Sequence, residues 1–87
     1  MTDRSSTNEA YQEAVRKRNS GENIEAGEWY TSAAYAWASS MPLYPSSGVE
    51  LKHFLEAATC YRIGGDMERC RNRCKTGILR AEDMSVR

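Results

Sequence analysis

The chain repeats itself once, and the repeat is built on a turn. Displacing the sequence by 44 positions lays Gly21-Glu22-Asn23-Ile24-Glu25-Ala26 on Gly65-Asp66-Met67-Glu68-Arg69-Cys70, and Ala14 on Ala58. Each glycine turn separates two stretches of helical length, so each half of the chain reads as helix, turn, helix. Units of that form bury their faces by stacking on one another, which predicts a helical-repeat arrangement.

Punctuation places the four helices. Ser6 with Glu9 has the spacing of a capping box and predicts a first helix near 7–19, with Ala10, Ala14 and the stem of Lys17 on one face. Asn23 is the expected cap of a second helix near 22–40, where Ala26, Tyr30, Ala33 and Trp37 fall within about 60° of one another at 100° per residue. That helix must stop before Pro42, and Met41 to Gly48, holding both prolines, reads as a connecting loop over 41–47. A second capping box, Ser47 with Glu50, opens a third helix near 48–63, whose inner face is Leu51, Phe54, Ala58 and Tyr61. Gly64-Gly65 ends it, and Asp66 caps a fourth near 66–82 with an expected inner face of Met67, Cys70, Cys74, Gly77, Ile78 and Ala81. No segment alternates as a strand does. The expectation is one all-α domain over 1–87, four antiparallel helices forming two stacked hairpins.

Composition decides how such helices pack. Only eleven of the 87 residues are Leu, Ile, Val or Phe, too few for an ordinary aliphatic core. Disorder of low hydrophobicity comes with high net charge, whereas here twelve basic and twelve acidic side chains cancel. Alanine, cysteine, methionine and the aromatic residues must therefore do the burying. Small residues at Ala14, Ala26, Ala33, Ala58, Cys70 and Gly77 allow helices to approach closely. The longest apolar run, Ala33 to Ala38, is far short of the roughly 20 residues of a membrane span. Met1 to Ser6 lacks the apolar stretch of a secretory signal, and three cysteines confined to Cys60–Cys74 suit a reducing compartment, so a cytoplasmic protein is expected.

In the second half, Phe54, Ala57-Ala58, Tyr61, Gly65, Cys70 and Gly77 resemble a tetratricopeptide repeat, in which aromatic, small, aromatic, glycine and small residues recur at these separations. Gly21 to Ala26, Tyr30 and Ala33 resemble its second helix. The halves are 44 residues apart where that family repeats every 34, and Lys17 stands where its second aromatic belongs. The stretch Ala14–Ala34, with Cys74–Glu82, is also similar to microtubule-interacting and trafficking domains, three-helix bundles that bind helical peptides; the helix Gly48–Ile63 is outside that pattern. Both resemblances imply a small adaptor for protein segments.

Chemistry-bearing residues are sparse. Cys70 and Cys74 with Cys60 and His53 have the residue types of a zinc site, but His53 and Cys60 lie about 10 Å apart along a helix, too far to share an ion easily. His53 adjoins no nucleophile motif, and the carboxylates are spread over helix surfaces, so neither enzyme activity nor a cofactor is expected. In helical repeats the first helix of each pair lines the concave side. That resemblance implies a peptide groove of Tyr11, Val15 and Arg18 from helix one and Lys52, Leu55, Thr59 and Arg62 from helix three, suited to an amphipathic or acidic peptide. Exposed Tyr11, Trp29 and Tyr35 raise self-association, a homodimer, as a second use. Residues 1–44 carry four basic and six acidic side chains and 45–87 eight and six. Arg69, Arg73 and Arg80 fall within about 40° of one another on helix four, an expected basic ridge that offers nucleic acid an alternative site.

Overall fold

The two glycine turns are one turn built twice. At the first, Ser20 N–H donates to Arg16 O, Gly21 to Arg18 O and Glu22 to Lys17 O; at the second, Gly64 donates to Cys60 O, Gly65 to Arg62 O and Asp66 to Tyr61 O. Every bond of the first has its counterpart 44 residues on. Gly21 and Gly65 take φ of +86° and +90°, the left-handed region that glycine enters without steric cost, and the crossed pair of bonds satisfies carbonyls that a helix end leaves bare. The chain re-enters a helix at once, Ala26 N–H donating to Glu22 O and Cys70 to Asp66 O. Asp66 caps as expected, its carboxylate accepting the Arg69 N–H at 3.0 Å. In the first turn the corresponding position is Glu22, not Asn23, whose side-chain amide instead donates to the Gly21 carbonyl at 3.3 Å.

The computed structural model describes residues 3–40 and 47–85, with side chains over 8–37 and 49–80. It contains α1 (Asp3–Asn19), α2 (Asn23–Ser40), α3 (Ser47–Ile63) and α4 (Met67–Ser85), and no strand among the described residues. The all-α class follows. The proline-bearing stretch 41–46 lies outside the described residues. Two capping assignments need correction. Helix α1 begins at Asp3 and runs through Ser6, because Asp3 to Ser6 contain no glycine or proline to stop it. In α3, Ser47 is already the first helical residue, and Glu50 is only 2% exposed, its carboxylate accepting a bond from Arg80 Nε.

Helices adjacent in sequence are adjacent in space: α1 packs on α2, α2 on α3 and α3 on α4. The Cα trace measures 37 × 30 × 13 Å, and 13 Å is the thickness of about two packed helices. A core of Ala14, Ala26, Tyr30, Ala57, Cys60 and Tyr61 is flanked by Tyr11, Val15, Ile24 and Cys70. Glycine makes two helix crossings tight. A Cβ on Gly27 of α2 would lie 2.9 Å from the Tyr61 ring, and one on Gly77 of α4 would lie 2.9 Å from Phe54 Cβ.

Helix α4 departs from its expected face. Met67 and Ile78 are about half exposed, at 46% and 50%. Cys70, Cys74 and Gly77 of that face turn inward, joined by Arg73, Thr76 and Arg80, all half-buried except for the buried Gly77. Ala81 is outside the described side chains. The face turned because Gly77 must sit against Phe54, and arginines three or four residues either side then reach aromatic rings that an aliphatic side chain would fill less well.

Candidate functional site

The three α1 residues of the expected groove are brought against α3, but they meet other partners than those predicted. Tyr11 is half-buried, edge-on to Tyr30 at 5.8 Å between ring centroids and tilted against His53 at 5.3 Å. Val15 packs on the core. Arg18 lies with its guanidinium 5.7 Å from the Tyr30 ring centre and 4.0 Å from the Glu56 carboxylate. Tyr11 and Arg18 thus reach α3 at His53 and Glu56, while Val15 and Cys60 belong to the core between them.

Burial sets the chemistry where α1 meets α3. It pushes the Tyr30 phenol up to about 12, with the Glu56 carboxylate adding to the effect. It lowers the pKa of His53, against the pull of Glu56, whose Oε1 is 3.6 Å from His53 Nδ1, while Lys52 adds a smaller push in the same direction as burial. The Cys60 thiol is raised by the same burial, which makes it a poor nucleophile. Cys74 is raised likewise, by burial and then by Cys70. All three cysteines are free, and among the described residues no group of three His, Cys, Asp or Glu side chains is placed to hold a metal ion.

Lys52, Leu55, Thr59 and Arg62 lie one residue step around α3 from the side that meets α1. All four are exposed. Leu55 presents an apolar side chain 43% exposed between the two cations, and the Thr59 hydroxyl donates to the Leu55 carbonyl at 2.9 Å. The seven expected groove residues therefore divide into half-buried Tyr11 and Val15, an exposed Arg18 lying over Tyr30 and Glu56, and an open row on α3.

The expected basic ridge is tied to the neighbouring helices, Arg73 and Arg80 half-buried and Arg69 exposed. Arg69 reaches Glu28 of α2 at 3.2 Å and Asp66 at 3.4 Å; Arg73 Nε donates to the Thr31 hydroxyl at 3.0 Å; Arg80 bonds Glu50. Each also lies over a ring, Arg69 and Arg73 over Tyr61 at 5.7 and 5.6 Å and Arg80 over Tyr35 at 5.4 Å. Tyr35 in turn meets Phe54 edge-on at 5.3 Å. Helical geometry did place the three arginines on one face. What it missed is that Glu28, Thr31 and Tyr35, spaced three and four apart on α2, form a matching line.

One surface was not foreseen. Between α1 and α2, on the side away from α3, lies an open cleft of about 550 Å³ lined by Glu9, Ala10, Glu13, Trp29, Ser32 and Ala36. Glu13 is held by Arg16, a turn further along α1, and that contact draws its carboxyl below the ordinary range. No helix among the described residues is long and apolar enough to cross a membrane. No protein-family model matches the chain, and comparison with curated proteins and with solved structures gives no significant match.

Proposed function

We propose that this chain is a small, non-enzymatic protein-interaction module of tetratricopeptide-like build, an adaptor that takes an acidic, amphipathic peptide segment along α3. The supporting observation is the exposed row Lys52, Leu55, Thr59 and Arg62, an apolar side chain bracketed by two cations that form no ion pair among the described residues. A peptide helix with one hydrophobic anchor and flanking carboxylates matches that pattern. The alternative nucleic-acid role for Arg69, Arg73 and Arg80 is less favoured, because each is already committed to α2 or α3 and to an aromatic ring.

Selection of a displayed random-peptide library on the immobilised chain tests this. The expected result is enrichment of acidic sequences with a central apolar residue, whose binding is lost in a Lys52→Glu, Arg62→Glu variant. Enriched peptides that bind the variant equally well, or no enrichment at all, would overturn the proposal.

A further inference from the structure

The internal interface between the two halves has an open counterpart at the end of the molecule. Inside the chain, α2 lies on the second hairpin: Ile24 against Gly64, Gly27 against Tyr61, Thr31 bonded to Arg73, and Tyr35 against Phe54 and Arg80. On the surface that receives it, Phe54, Arg73 and Arg80 carry contacts with α2, and Ala57 shares the core with Ala26 and Tyr30. Subtracting the 44-residue repeat from those four positions gives Ala10, Trp29, Ala36 and Glu13. All four line the cleft between α1 and α2, whereas Tyr61 and Gly64 map to Lys17 and Ser20, beside it. Because the two turns agree bond for bond, the backbone there presents the same kind of seat. No side chain among the described residues fills it.

The element that fits is also in the chain. Adding 44 to the docking residues of α2, Ile24, Gly27, Glu28, Thr31 and Tyr35, gives Glu68, Arg71, Asn72, Lys75 and Leu79 of α4, and the buried Ala34 between them gives Ile78. All six α4 residues are exposed, Ile78 and Leu79 by half or more. Carrying the internal pairings across makes the match specific. Thr31 on Arg73 becomes Lys75 on Trp29, a cation over an exposed indole. Tyr35 on Phe54 and Arg80 becomes Leu79 on Ala10 and Ala36. Ala57, one turn from Phe54 and Tyr61 on the same receiving helix, becomes Glu13, a carboxylate bonded to Arg16 that lines the cleft which Lys75 would enter. The one like-charge meeting, Arg71 on Lys17, falls where Lys17 is flanked by Glu22 at 3.6 Å and Glu25 at 3.1 Å.

We infer that a second copy of this chain docks head to tail, its α4 entering the α1–α2 cleft as α2 enters the second hairpin. Such a contact joins unlike surfaces, so each added copy leaves one cleft and one α4 free, and assembly continues past the dimer unless the ends meet. The inference rests on the reading of the chain as a protein-interaction module, but it uses a surface apart from the α3 row.

Sedimentation velocity of the purified full chain over a dilution series tests it. The wild type is expected to show concentration-dependent species larger than a dimer. Glu13→Lys and Lys75→Glu should each weaken association by about tenfold or more, while circular dichroism shows both folded. Mixed in equal amounts, the two variants should regain assembly, because each supplies the charge that the other reversed. A wild type that remains monomeric throughout, or variants that assemble as the wild type does, would overturn the inference. The Lys52→Glu, Arg62→Glu variant should assemble normally, so loss of peptide binding and loss of assembly are separate outcomes.

Discussion

Replacing Arg80 with Met removes the partner of the most deeply buried carboxylate in the described structure. Glu50 is 2% exposed and its Oε1 accepts from Arg80 Nε. Truncating one member of a buried ion pair costs about 3 to 5 kcal/mol, because the other charge is stranded in a medium that solvates it poorly. Here the Arg80 side chain retains 38% of its exposure, so water screens its end and lowers the expected cost to about 2 to 3 kcal/mol. That figure includes the lost stacking on Tyr35, about 0.5 to 1 kcal/mol. For a chain of this size the midpoint of thermal unfolding should fall by about 10 to 20 °C. Circular dichroism at 222 nm, with urea titrations beside the melts, measures both quantities. The double replacement Glu50→Leu, Arg80→Met should be more stable than Arg80→Met alone, since no charge is then buried without a partner. A single variant that loses less than about half a kcal/mol, or a double variant whose loss equals the sum of the singles, would refute the pairing as a source of stability.

Two other perturbations separate opposing effects. Gly77→Ala gains about 1 kcal/mol of helix propensity, yet its Cβ would lie 2.9 Å from Phe54 Cβ and 3.0 Å from Leu51 Cδ1, so α4 must move off α3 at a cost of about 1 to 3 kcal/mol. A net fall in the urea midpoint is expected, and a rise would show that the crossing is loose. His53 has a folded-state pKa below its ordinary 6.5, chiefly through burial, so below that pH the unfolded chain binds a proton that the folded chain resists. Stability should fall as pH drops from neutral through 6.5, and His53→Gln should flatten that slope in urea titrations at stepped pH.

The helices were legible because their ends are written in local chemistry. Gly21, Gly65 and Asp66 each act through their own backbone or the next turn, so a linear reading finds them. Ser6 misled because a capping sequence permits a helix to start without preventing one already under way. The face of α4 was harder. Hydrophobic periodicity sends Met67 and Ile78 inward and arginine outward, whereas Arg73 and Arg80 turn in because Tyr61 and Tyr35, on other helices, offer them rings. No arrangement of residues within α4 announces that. The cleft was hidden for a related reason. Glu9 and His53, or Trp29 and Arg73, share a place in the repeat but no chemistry, so their equivalence emerges only when the hydrogen bonds of the two turns are laid side by side.

The alanine, glycine and tyrosine packing bears on how the chain responds to temperature. The heat capacity gained on unfolding follows the hydrocarbon newly exposed to water and is offset by polar groups exposed with it. A core in which Ala14, Ala26 and Ala57 meet at close crossings, and in which Tyr30 and Tyr61 bring hydroxyls inside with them, has little hydrocarbon to hydrate. The stability curve of such a chain is low at its summit and broad. It changes slowly on either side, so the fold varies less between cold and warm conditions than a leucine-packed bundle of equal length.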